Sequence, residues 1–177
     1  MGDNAPLWPE ILPSWGEAEG SARAYLDRPR PWMTLGLVDG DGWRHAKERV
    51  LDGAEREWRR WESEISEEEA PQRVFLEWQP KRPFAIPDLE GVLFRGKMDR
   101  IEVRETEEGL KVLVIDYKSG GGLAPTKKMP DLHGQALIYP FAPFEEILDG
   151  ESPMEVLAQY RYPLSKGTQK GESALLN

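Results

Sequence analysis

The 177-residue chain contains no cysteine and only two histidines. Without thiols there can be no disulfide, iron–sulfur cluster or zinc–thiolate centre, and a cytoplasmic setting becomes the default expectation. Long apolar runs are missing as well. None approaches the roughly 20 residues that a membrane-spanning helix requires, and the opening MGDNAPLWPE lacks the basic and apolar pattern of an export signal. Positive charge is scarce: 23 Lys and Arg stand against 32 Asp and Glu, a formal net charge of −9. That balance counts against a non-specific nucleic-acid binder, which is usually basic. Much of the excess is local, however, because ESEISEEEA (62–70) alone carries five Glu, so the whole-chain charge says little about any one face. Aromatic residues, by contrast, are ample, with seven Trp, and the length suits one domain with a sizeable core.

Residues 1–42 are rich in Pro and Gly and are expected to form an N-terminal extension with one short helix around GEAEGSARAYLD; residues 43–177 are expected to form the main domain. From Trp43 to about Glu64 the residues Trp43, Ala46, Val50, Ala54, Trp58 and Trp61 recur at steps of three and four, which predicts an amphipathic helix with a charged outer face. RVFLEWQP (73–80) reads as a strand. After the Pro-broken KRPFAIPDLEG, two β-rich runs, LFRGKMDRIEVRE (93–105) and LKVLVIDYKSG (110–120), flank the turn TEEG and predict a hairpin. A Gly-rich, Lys-containing loop follows, then a helix from about Asp131 that Pro140 must kink or end, a short helix begun by Pro143, and a last strand, VLAQYRYPL (156–164). The pattern is α/β, with a mixed central sheet flanked by helices.

One apparent motif carries no chemistry. GVLFRGKM (91–98) has the G-x-x-x-x-G-K spacing of a phosphate-binding loop, but Met98 stands where a Ser or Thr would hold magnesium, and the intervening Val-Leu-Phe-Arg favours a strand. No nucleotide cofactor is expected.

The chemistry gathers where VIDYKSGG (114–121) ends its strand. Alternation places Asp116 and Lys118 on one face with Val112 and Val114, so two charges close an otherwise buried strand. Counting back through the turn pairs position 105 with 110 and brings Asp99, in GKMDR, opposite Asp116. Facing carboxylates repel unless a cation lies between them. Oxygen ligands at that density suit magnesium or manganese, and a lysine one step beyond could orient the attacking water or hold a scissile phosphate. Taken singly, each of these residues could equally be a surface charge capping a hairpin.

GKMDRIE (96–102), VIDYKSGG (114–121) and QALIY (135–139) together resemble, in order and spacing, the RecB and AddB type of nuclease domain within the PD-(D/E)XK superfamily. The resemblance implies a restriction-endonuclease-like core over residues 43–177 and a magnesium- or manganese-dependent deoxyribonuclease, with exonuclease action and a role in DNA repair or recombination. It implies Asp99, Asp116 and the backbone carbonyl of Tyr117 as metal ligands, and Asp99, Asp116 and Lys118 as the catalytic set. Gln135 and Tyr139 would stand beside them, contacting DNA or the attacking water. Glu77, in FLEW, matches a further acidic position. The family's upstream G-x-x-x-H ligand has only an imperfect counterpart here, His45, three residues after Gly42. The expected partner is DNA, single-stranded or with free ends, tracked by Arg100, Lys127 and Lys128 with Arg95, Lys97 and, in and after the last strand, Arg161, Lys166 and Lys170. A helicase partner is in keeping with the family. The competing expectation is a catalytically inactive relative that binds DNA or docks within a larger repair complex.

Overall fold

The computed structural model describes residues 14–29, 40–66, 70–87, 89–118, 134–161 and 163–164. Helix α1 (Trp15–Leu26) begins where the Glu17 carboxylate accepts bonds from the Ser14 amide and hydroxyl, at 2.9 and 2.8 Å. It lies against the long helix α2 (Gly40–Ser66): Trp15 meets Trp58 with ring centroids 6.1 Å apart, and Arg23 and Asp27 pair with Glu48 and Lys47. The residues of α2 turned inward are Leu51, Trp61 and, partly, Ala54, Glu57 and Glu64, so its buried stripe is not purely apolar, and Val50, Ala46 and His45 are exposed. Gly53 marks where α2 approaches the chain that follows the last strand. A Cβ there would lie 2.9 Å from Leu164 Cδ2 and 3.0 Å from the Pro163 carbonyl oxygen, closer than packed atoms allow.

The central sheet has the order β1-β4-β5-β6, from β1 (Arg73–Trp78), β4 (Met98–Thr106), β5 (Gly109–Tyr117) and β6 (Glu155–Arg161). The first three strands run antiparallel and β6 joins β5 in parallel, so the sheet is mixed, as the alternation of elements predicts. The run at 93–105 is broken in two rather than continuous. Leu93–Phe94 (β3) pairs with Phe84–Ala85 (β2) in a separate small hairpin, and the main strand starts only at Met98, after Gly96. The crossover from β5 to β6 runs through the short α3 (Gly134–Ile138) and two 3-10 turns at Tyr139–Phe141 and Phe144–Glu146. Pro140 ends the helix as expected, while residues 131–133 lie outside the described residues.

Alternation splits the buried strand residues into two layers. Phe75, Ile101, Val103, Val112, Val114 and Ala158 meet Tyr139, Phe144 and Leu148 of the crossover in the main core. On the opposite face, beneath α2, lie Val74 and Ile115 together with charged Arg100, Glu102 and Arg161. Among the described residues no helix is long and apolar enough to cross a membrane.

Candidate active site

The β4–β5 register builds the site. Glu105 pairs with Leu110 and Arg100 with Ile115, so one step further Asp99 stands opposite Asp116 at the end of the hairpin. There the side chain takes over from the ladder, the Tyr117 amide donating to Asp99 Oδ2 at 2.8 Å. Asp116 is 6% exposed and shares the face of Val112 and Val114, so its charge is carried at the rim of the apolar core.

Three side chains gather at Asp116, two in direct contact and Gln135 through Lys118. Lys118 is placed by a bond from its amide to the Arg161 carbonyl (2.8 Å), and its ammonium lies 2.7 Å from Asp116 Oδ2. Gln135, on α3, accepts from the same ammonium at 2.6 Å. The Tyr139 hydroxyl donates to Asp116 Oδ2 at 3.0 Å, and its ring is buried in the core. Burial, reinforced by the adjacent Asp116 carboxylate, drives the Tyr139 phenol far above its ordinary pKa, so it remains a proton-bearing donor. Tyr160, across the parallel register from Asp116, presents its ring 5.2 Å from the Lys118 ammonium, a contact that the strand pattern alone does not signal.

Two carboxylates thus face each other, and Lys118 pairs with one of them, Asp116. In each, Oδ2 carries the hydrogen bonds, while Oδ1 accepts none among the described residues. Two hard oxygens left free beside an uncompensated negative charge fit a magnesium or manganese ion, which keeps several of its own waters. Among the described residues no group of three His, Asp or Glu converges on such a position.

The other expected residues fall elsewhere. His45 is exposed on α2. Glu77 lies on the edge strand in line with Asp99, but its backbone is left-handed (φ 54°), which breaks the alternation of β1: Leu76 and Glu77 face solvent, and the Glu77 carboxylate pairs with Lys97. Arg100 requires a correction. It is 4% exposed, on the face away from Asp99, with its guanidinium 3.6 Å from the Trp61 ring centroid, so it is closed to a phosphate backbone. Arg161 is buried in the same layer, 3.1 Å from Glu57. Tyr139, buried behind Asp116, is placed to hold that carboxylate rather than to face DNA. Lys127, Lys128, Lys166 and Lys170 lie outside the described residues.

Local sequence reasoning missed the charge layer under α2. Arg100 reaches Glu102 (2.5 Å), Glu102 reaches Arg104 (3.3 Å), and Arg161 reaches Glu57 and Glu64 (3.1 and 3.7 Å). The one available signal was the alternation of Arg100, Glu102 and Arg104 within a buried strand, which sends all three to one face.

Among curated proteins none matches the chain significantly. A family match does span residues 14–172 and so takes in α1, the whole sheet and the Asp99, Asp116 and Lys118 constellation: the chain belongs to the PD-(D/E)XK nuclease superfamily.

Proposed function

We propose that the protein is a magnesium- or manganese-dependent DNA nuclease of the RecB and AddB type, acting on single-stranded DNA or free ends in repair or recombination, in the cytoplasm and alongside a helicase partner. The observation that carries this reading is the in-register pair Asp99 and Asp116 with Lys118 bonded to the inner carboxylate. Asp99, Asp116 and the Tyr117 carbonyl would hold the ion, which when bound supplies Lewis-acid stabilisation of the phosphate. Tyr139 fixes the Asp116 carboxylate by donating to Oδ2. Lys118, kept 2.6 Å from Gln135, is placed to orient the attacking water or to neutralise charge developing on the phosphate.

A second reading, a catalytically inactive relative serving as a binding module, draws on one observation: His45 and Glu77 do not join the two aspartates. The separating experiment incubates labelled single- and double-stranded DNA, linear and circular, with the protein in magnesium, manganese or EDTA, alongside Lys118→Ala. Metal-dependent cutting that the variant loses supports the nuclease, and cutting of the circles would make it an endonuclease. A folded protein that cuts nothing with any metal favours the binding module.

A further inference from the structure

Between Trp78 and Met98, which pair across the ends of β1 and β4, the chain makes an excursion of its own. Its two short strands are anchored at the base. Phe84 is buried in the main core, Phe94 packs against it, and their rings lie 6.4 Å apart. The far end has the opposite character. Leu89 and Val92 are nearly half exposed and Leu93 is 66% exposed, around a turn closed by the Leu89–Ile86 and Val92–Leu89 backbone bonds with Gly91 at φ 75°. Three aliphatic side chains held in water on an anchored hairpin form an exposed apolar patch, the kind of surface on which contacts are made.

Charge identifies what that surface meets. Residues 79–97 carry four cations, Lys81, Arg82, Arg95 and Lys97, against Asp88 and Glu90, in a chain whose net charge is −9. Arg82 and Arg95 are exposed, and neither pairs with a carboxylate among the described residues. The excursion returns to the sheet at Met98, the residue before Asp99, so its base adjoins the carboxylate pair. On the β5 side of that pair, the crossover that supplies Gln135 and Tyr139 also exposes Leu137 and Phe141.

Cations beside aliphatic side chains, next to a site for phosphodiester chemistry, match an unpaired nucleic-acid strand, which offers phosphates and unstacked bases together. A duplex keeps its base faces stacked and offers phosphates and groove edges instead. We propose that the β2–β3 hairpin is the single-strand contact of this protein: Arg82 and Arg95 engage the backbone, and Leu89, Val92 and Leu93 pack on unstacked bases as the strand passes to Asp99 and Asp116. The inference takes its location from the nuclease reading, but its test does not require cleavage.

The full-length protein in EDTA is titrated into a labelled single-stranded oligonucleotide, and into its blunt duplex, over a range of salt, and read by fluorescence anisotropy. Arg82→Ala/Arg95→Ala should make the plot of log affinity against log salt for the single strand shallower by about 1.4, two phosphate contacts at roughly 0.7 each. Leu89→Ser/Leu93→Ser should weaken single-strand binding about fivefold or more with the salt slope unchanged, and leave the duplex unaffected. Both variants alter exposed side chains and spare the Phe84–Phe94 anchor, and their thermal midpoints check that the fold is intact. Wild-type affinity and slope in both variants overturn the proposal, as does equal loss on single strand and duplex, or a wild type that binds no single strand. A wild-type dimer that dissociates on hairpin substitution would assign the surface to a second copy of the chain and overturn it too. Magnesium-dependent cutting with hairpin-independent binding removes the hairpin role and leaves the nuclease. Hairpin-dependent binding without cutting in any metal removes the nuclease and leaves the hairpin.

Discussion

The two faces of the central sheet both bury carboxylates, and they treat them in opposite ways. Under α2 three arginines, Arg100, Arg104 and Arg161, meet three glutamates, Glu57, Glu64 and Glu102, in a layer of paired charges. Glu102 has no exposed surface at all, yet an arginine stands at each of its oxygens. At the rim of the other face Asp116 pairs with Lys118 and Asp99 with no cation among the described residues, and each keeps an oxygen without a protein donor among them. The charges of this layer pair with one another across the contact between α2 and the sheet, although Arg100 Nε and Nη2, Glu102 Oε1 and Glu64 Oε2 have no hydrogen-bond partner among the described residues. The unbalanced pair is costly to fold around, and that cost is what a bound cation and a substrate phosphate would relieve. Burial of charge therefore does not by itself mark a site in this protein. What distinguishes Asp99 and Asp116 from the layer under α2 is their excess of negative charge.

The largest expected effects are those that exchange the two behaviours. Asp116→Asn should reduce cleavage about a thousandfold or more, because several kcal/mol of transition-state stabilisation depend on the ion it would hold. The same variant should unfold at the same or a higher urea concentration than wild type, since one of two repelling anions is gone. Glu102→Ala should do the reverse. It leaves three arginines facing two glutamates in a dry layer and is expected to lower stability by about 3–5 kcal/mol in urea denaturation. Arg100→Met/Glu102→Leu, which removes a cation and an anion together, should cost distinctly less than Glu102→Ala alone. A Glu102→Ala protein of unchanged stability would mean that the two faces do not differ as described.

How much of this contrast could be read in the sequence follows from how local each side is. The TEEG turn sets the β4–β5 register, so counting alone brings Asp99 opposite Asp116, and strand alternation puts Asp116 and Lys118 together. The mixed sheet and its flanking helices follow from the order of apolar patterns. The helix-side layer depends instead on pairs far apart in the chain, Glu57 with Arg161 and Glu64 with Arg104, and nothing within one helical turn distinguishes such a glutamate from a solvated one. The same blindness made Arg100 look like a phosphate contact: alternation sends it away from Asp99, but only the position of α2 shows that this other face is covered. Glu77 was obscured by backbone rather than packing, because a left-handed residue inside a strand cancels the period of two on which the reading relies.

A smaller change sharpens the comparison from the carboxylate side. Tyr139→Phe keeps the buried ring and removes only the donor to Asp116 Oδ2. Activity should fall about tenfold to a hundredfold, the usual effect of removing a partner that orients a metal-binding carboxylate, with a loss of stability of about 1 kcal/mol. Full activity in Tyr139→Phe would leave Lys118 alone responsible for holding Asp116.

The weakest expected effect tests whether the α2 layer is compensated at its edge. Burial, then the neighbouring Glu102, raises the Glu64 pKa above the ordinary carboxylate value, and the arginines around it do not fully offset this. A raised folded-state pKa means that the folded protein retains a proton on Glu64 where the unfolded chain has lost it. The contribution of this group to stability is therefore present below the ordinary value and is lost as pH rises through the raised one. Glu64→Gln cannot ionise and should lack that loss. Urea midpoints measured from about pH 4 to pH 8 should then show the variant gaining on wild type as pH rises. If the variant falls behind wild type as pH rises, the attraction of Arg161 and Arg104 outweighs the burial of Glu64, and the pairing of the α2 layer extends to its outermost carboxylate.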